Sequence, residues 1–290
     1  SILCVSANDL NEDIAAPEEA GLIEESSDNI LSKGDDGTFT SLQEIINSSE
    51  ENSTITLDKD YTYNEGFDTR GIKINQNNLT IDGNGHTIDG LSKSRIFLVK
   101  LGSIFPNQVT LKNIKFINGN TTLYGGAIFN YGDLTVDNCQ FTNNYAKYGG
   151  GAIASIGYAE YKNSKFDNNI ANGDGGAIFT LSLRGTLANI IGTMIDSAMD
   201  GNIDFLTDLV NDDTLVYEKE YISNCVFTNN VANGRGGGAV YAFGHIDISK
   251  CTFNSNKAGE KGGAVFGNKN LFISDSKFTN NNAPKYGGAV

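Results

Sequence analysis

The chain has 290 residues, a formal net charge of −14 and a pI of about 4.5, which disfavours nucleic-acid binding through phosphate neutralisation. Four cysteines without a C-x-x-C pair, and only two histidines, argue against a zinc site. No apolar run approaches the ~20 residues that a membrane span needs, while the length is ample for a large core.

In chain order, residues 1–7 within "SILCVSAND" read as the end of a secretory signal peptide, an apolar run followed by small residues before a polar start. Cleavage after Ala7 would remove Cys4 and leave Cys139, Cys225 and Cys251. Residues 8–37 carry ten acids against Lys33, so −9 of the −14 sits there, and the stretch is expected to be a disordered spacer. At 38–53 the segment "TSLQEIINSS" suggests a capping box of Ser41 with Glu44 ahead of Ile45 and Ile46. A short amphipathic helix is expected there, closing the end of a core. "TITLDKDYTY" (54–63), "GIKI" (71–74) and "LTIDGNGHTIDG" (79–90) follow as irregular first turns of a repeat. The sequons at Asn47, Asn52, Asn78 and Asn120 permit glycosylation.

The repeat then becomes regular. GGAI or GGAV recurs with its alanine at Ala127, Ala152, Ala177, Ala239, Ala264 and Ala289, in steps of 25, 25, 62, 25 and 25 residues. F-x-x-N-x-A rides on the same period, with Phe141, Phe166, Phe227, Phe253 and Phe278 each followed by Asn144, Asn169, Asn230, Asn256 and Asn281. Phe116 opens a degenerate first copy.

Stacked on these phenylalanines, the column two residues earlier reads Ile114, Cys139, Ser164, Cys225, Cys251, Ser276. Five earlier it reads Leu111, Val136, Tyr161, Ile222, Ile248, Ile273, and seven earlier Val109, Leu134, Ala159, Glu220, Ile246, Leu271. Polar residues alternate with them, the period-2 mark of strands with one buried face. The phase slips once, at Asn113, Asn138, Asn163 and Asn224, which marks a corner. A third strand is expected after the glycines, at Ile128, Ile153, Ile178, Val240 and Val265.

Three short strands per ~25 residues describe one coil of a parallel β-helix over 38–290, an all-β solenoid whose coils stack like residue over like residue. In this reading Gly126, Gly151, Gly176, Gly238, Gly263 and Gly288 sit in glycine pairs that turn the chain where side chains would crowd or φ is positive. The aligned asparagines form ladders.

The 62-residue step holds one coil plus an insertion at 182–217. Leu187, Ile190, Ile191, Met194, Ile195 and Ala198 recur at helical spacing, so an amphipathic helix is expected, either packed on the flank of the solenoid or serving as a partner-binding elaboration. One further residue sits in the glycine turn "GRGGG" at 234–238. The last residues, "YGGAV", open a new repeat, and the chain is therefore read as a fragment truncated at its C-terminus.

GGA[IV] with F-x-x-N resembles the repeats of the chlamydial polymorphic membrane proteins. The layout of leader, acidic spacer, "TFTSLQEII", "STITLDKDYTYN", "LTIDGNGHTIDG" and then GGAI coils resembles the adhesin-like surface proteins of methanogenic archaea, over about residues 1–290. The resemblance implies an extracellular, right-handed β-helix at the cell surface. It would be monomeric and cofactor-free, and would attach to host or neighbouring cells or to extracellular polymers, glycans among them.

The rival class is an extracellular polysaccharide lyase or hydrolase of the pectate-lyase type. Asp82, His86 and Asp89 form the best catalytic constellation, although Asp with Gly is expected in turns anyway. From residue 107 onward no carboxylates share a column in neighbouring repeats, and one column reads Lys112, Asp137, Lys162. His245 stands alone on a surface column. Tyr124, Tyr148 and Tyr286, in the turn before the glycines, are candidates for stacking on sugar rings, and no metal site is evident.

Overall fold

A computed structural model describes residues 34–100, 108–183, 185–197 and 216–290. The expected leader (1–7), most of the acidic stretch (8–33) and Ala198 with much of the insertion lie outside the described residues.

The chain coils into a parallel β-solenoid. Two eight-stranded sheets, one seven-stranded sheet and one five-stranded sheet each take one strand from successive coils, and all pairs are parallel. The first sheet runs from Thr54–Thr56 to Leu271–Ser274, and the second from Tyr61–Thr62 to Lys277–Thr279. The third runs from Ile72–Ile74 to Val265–Gly267. The five-stranded ladder, two residues per coil from Asn120–Thr121 to Lys257–Ala258, is an addition to the three strands read from the sequence.

Register is like over like. Phe116, Phe141, Phe166, Phe227, Phe253 and Phe278 stack with ring centroids 4.7–4.8 Å apart and planes within 11° of parallel. Parallel pairing at one coil per rung enforces this spacing, and burying each ring contributes roughly 1.5–3 kcal/mol. Ile128, Ile153, Ile178, Val240 and Val265 form the matching column in the third sheet.

Beside the phenylalanines runs the buried amide ladder. The Nδ2 of Asn144, Asn169, Asn230 and Asn256 donates to the Oδ1 of the next asparagine at 2.9–3.0 Å. The other Nδ2 hydrogen reaches a phenylalanine carbonyl of the coil below, as from Asn169 to Phe141 at 3.0 Å. Every donor in the column is thereby satisfied away from water.

Asparagine also makes the outer corners. Asn113, Asn138, Asn163 and Asn224 have φ of 52° to 58°, the left-handed region that asparagine tolerates. A second corner, at Asn118, Asn143, Asn168, Asn229 and Asn280, has the same conformation. The glycine pair divides its two roles. Gly125 has φ +68°, whereas at Gly126 a side chain would run into the backbone of Gly151 in the next coil.

The end cap is helix α1, Phe39–Ser48. Its capping box lies one turn earlier than the sequence suggested, between Thr38 and Ser41 rather than Ser41 and Glu44. Thr38 already has extended backbone, so its hydroxyl meets the free Ser41 N–H. The acidic stretch does not reach 37 as a spacer. Asp35 accepts from Tyr61 Oη at 2.6 Å and from Ser41 Oγ at 2.7 Å, and its side chain is only 2% exposed. The apolar face of α1 (Phe39, Leu42, Ile45, Ile46) is buried on the first coils. Gln43 seals the edge strand: its Nε2 donates to Lys73 O at 2.9 Å and its Oε1 accepts from Lys73 N–H at 2.7 Å. An edge that would otherwise offer free pairing groups is closed.

Helix α2, Gly185–Ser197, lies in the insertion. Register is unchanged across it, with Phe166 paired to Phe227 and Ala171 to Ala232.

Candidate functional site

The three catalytic candidates each hold different partners. Asp82 Oδ1 accepts from Asn84 N–H and from Asn113 Nδ2, both at 2.9 Å, and Oδ2 pairs with Lys112 at 3.1 Å. Burial pushes its carboxyl up, but these donors outweigh it and hold the group below the usual carboxylate range. Asp89, at the other corner, accepts from Leu91 N–H at 2.7 Å and Asn118 Nδ2 at 3.0 Å. His86 faces Asp60 at 3.2 Å. Each acid serves a turn. A polar depression of about 240 Å³ opens beside Asn84, Asn113 and Gln140, and none of Asp82, His86 or Asp89 lines it. Among the described residues no group of three or more His, Cys, Asp or Glu is placed to hold a metal ion.

The tyrosines divide as well. Tyr124 is buried, stacked on Tyr148 at 5.5 Å and against Phe179 at 5.4 Å, so its ring faces protein and is not the open platform for sugars that the sequence suggested. Tyr148 is half-buried and carries Lys147 over its ring. Only Tyr286 is exposed, at 66%.

A different surface gathers the aromatic side chains. In the third sheet the middle residue of each strand points away from the core, and in this column stand Leu98, Phe129, Ala154, Phe179, Tyr241 and Phe266. Helix α2 covers part of this outer face. Ala188, Ile191 and Ile195 are buried in one apolar cluster with Phe129, Tyr131, Leu183 and Tyr217. Gly192 sits against the Tyr131 ring, where any side chain would collide. The buried stripe is therefore 188, 191, 192 and 195, one step round from the predicted one; Leu187 is half-buried, while Ile190 and Met194 are about half exposed.

Beyond the cluster the column continues as a groove of about 190 Å³. Its walls are Tyr241, Phe243 and Phe266, with Arg235, Lys261 and Asn268 at the rim. Phe179, Tyr241 and Phe266 stack at 5.7 and 5.0 Å with planes 13° and 25° apart, and Phe243 leans on Tyr241 at 5.1 Å. Lys261 Nζ lies 5.9 Å from the Phe266 ring centre. Burial raises the Tyr241 phenol to about 12, with Asp174 nearby adding to it.

Arg235 is the extra residue of "GRGGG". Gly234 N–H donates to Gly173 O, and Gly175 N–H donates to Gly236 O, which leaves Arg235 without a counterpart in the coil below. It is a one-residue bulge, the device that turns a side chain out of a regular ladder. The sequence showed the extra residue but gave it no role; the departure from period was the available signal.

Four segments, residues 138–156, 163–181, 224–242 and 250–268, match the Chlamydia polymorphic membrane protein (Chlamydia_PMP) repeat. Neither the search of curated proteins nor that of solved structures returned a match.

Proposed function

We propose that the chain is the β-helical part of a secreted or cell-surface protein that attaches to cells or extracellular polymers, in the manner of the adhesin-like surface proteins of methanogenic archaea. The observation that carries this reading is the set of four polymorphic membrane protein repeats, built as stacked coils of one solenoid. A rigid rod of repeating coils displays long, flat faces, and its loops and bulges diversify those faces without disturbing the core. The rod acts as a monomer and needs no cofactor. No helix among the described residues is long and apolar enough to cross a membrane.

The reading favours a binding protein over a polysaccharide lyase or hydrolase; in its support, Asp82 and Asp89 accept from turn N–H groups and His86 pairs with Asp60. Attachment of the purified chain to cells and to immobilised extracellular polymers tests it, with reducing-sugar and unsaturated-uronate assays run on the same glycans. Saturable attachment without turnover is expected. Turnover that disappears in Asp82→Ala would replace this function with the enzymatic one.

A further inference from the structure

We propose that the bulged groove at Arg235 recognises an anionic sugar residue, a pyranose ring carrying a carboxylate or a sulfate. The proposal names a ligand for the surface-attachment reading and rests on it for its setting.

The groove has two sides of different chemistry. Its floor is apolar: Phe243 and Phe266, both half-buried, line it beside Tyr241, whose ring is covered on its two faces by Phe179 and Phe266. The C–H groups of a pyranose pack against such an aromatic wall. The rim is cationic. Arg235 is exposed, Lys261 is half-buried, and no ion pair of either occurs among the described residues.

The neighbouring acids are already engaged. Glu260 is bound by Lys285 at 2.7 Å, and Asp174 Oδ1 accepts from Gly236 N–H at 2.9 Å. Glu260 and Asp174 still attract Arg235, and Glu260 attracts Lys261, but neither cation is held in a direct ion pair among the described residues. A guanidinium beside a stacking surface is suited to holding the oxygens of a carboxylate or sulfate in a paired, planar geometry. The volume, about 190 Å³, is below the roughly 300 Å³ at which drug-sized pockets begin, and suits a single ring.

A second observation is independent of the lining. Arg235 is present only because this coil is one residue longer, and the bulge is tied in place by the Asp174–Gly236 hydrogen bond. The backbone at Gly236 lies close under the rings: a Cβ there would stand 3.1 Å from Phe266 and 3.3 Å from Tyr241. Apart from the insertion at 182–217, the regular coils depart from period here, where three rings and a second cation meet.

The test is calorimetric titration of the whole chain with an oligouronide, a sulfated oligosaccharide and a neutral oligohexose. The proteins are the parent, Arg235→Ala, Arg235→Lys and a variant lacking Arg235, which restores the regular coil length; thermal melts verify folding. Arg235→Ala alters an exposed side chain and keeps the coil intact, so it remains informative if the shortened variant does not fold. Acidic oligosaccharides are expected to bind and the neutral one to bind far more weakly. Loss of the guanidinium should weaken binding about tenfold or more, with Arg235→Lys between. The preferred acidic probe decides between carboxylate and sulfate.

Equal binding of neutral and acidic probes, unchanged affinity in folded Arg235→Ala, or no binding by the parent would each overturn the proposal. Attachment assays run alongside separate it from the broader reading. Attachment without oligosaccharide binding overturns the groove and leaves that reading standing. Arginine-dependent binding without attachment does the reverse.

Discussion

At the scale of residues, the solenoid is a set of columns, and each column tolerates little variation. Phe141 lies between Phe116 and Phe166, with centroids 4.8 Å away on both sides. Phe141→Ala opens a void that neither neighbour can fill without leaving its own stack, and should destabilise the protein by about 3–5 kcal/mol. A thermal melt within a degree or two of the parent would contradict the packing.

Glu220 is the exception in its column, a carboxyl among Val109, Leu134, Ala159, Ile246 and Leu271, fully buried. Its Oε1 accepts from Ala159 N–H at 3.0 Å, while Oε2 has no partner. Burial raises its pKa from 4.5 to about 8, with the hydroxyls of Thr180 and Ser182 opposing, and burial also raises the Tyr161 phenol beside it. A raised folded-state value means that the folded protein holds a proton which the unfolded chain releases. The stability from this group is complete below pH 4.5 and falls progressively as pH rises to about 8, by on the order of a few kcal/mol. Denaturant titrations at a series of pH values should show that decline in the parent and a much flatter profile in Glu220→Gln; equal slopes would refute it.

The thiol column makes a redox prediction. Cys139, Cys225 and Cys251 are buried and free, and Cys225 N–H donates to Cys251 Sγ at 3.4 Å. Parallel stacking holds the Cβ atoms of Cys225 and Cys251 near the coil spacing of about 4.8 Å, longer than the ~3.8 Å a disulfide prefers. Mass spectrometry without reduction should find both thiols unlinked even after exposure to air. A Cys225–Cys251 peptide would show that the coils give way.

At the scale of elements, the insertion is separable from the coils it interrupts. Phe, Asn and the glycine turn all resume in register beyond it, and α2 touches the outer face of the third sheet rather than the inner core. Replacing 184–216 by a short Gly/Ser turn should leave a cooperative β-fold while uncovering Phe129, Ala154 and Phe179. The expected signs are stronger dye binding and aggregation with far-UV dichroism still showing β-structure. Disappearance of the β-signal would place the insertion in the core.

How much of this was legible follows from the same geometry. Parallel, in-register stacking turns a structural column into a repeated letter, so the phenylalanines, the asparagines and the first corner could be read directly. The five-stranded ladder could not, because two residues per coil hold too few alternations to show a period. Nor could Arg95, 1% exposed, which donates to Gly125 O at 3.1 Å and Tyr124 O at 2.9 Å, since its partners are backbone atoms from distant positions. For the groove, the extra residue was visible in the sequence. The three rings beside it were not, because Tyr241 and Phe266 come from middle positions whose outward face is ordinarily solvated and Phe243 follows its strand.

At the scale of the whole molecule, ladder pairing joins each coil only to its neighbours, so the rod should shorten by units. Removing residues 240–264 joins Ala239 to Val265, which occupies the place of Val240 one coil further on. The product should melt cooperatively at a lower temperature, with unchanged β-content per residue. Loss of cooperativity would mean that the coils depend on more than their nearest neighbours.

Helix α2 has a mechanical consequence. Ladder hydrogen bonds point along the axis of the rod, so a pull between its ends loads them a rung at a time and peels the solenoid like tape. The helix shares one side-chain cluster with residues of successive rungs, from Leu98 through Phe129, Ala154 and Phe179 to Tyr241. A force that reaches this stretch must slide a brace off several rungs at once. A rod tethered at one end and bound at the other would give way first in its unbraced coils. Those coils would lengthen and absorb the load, while the braced middle would stay folded.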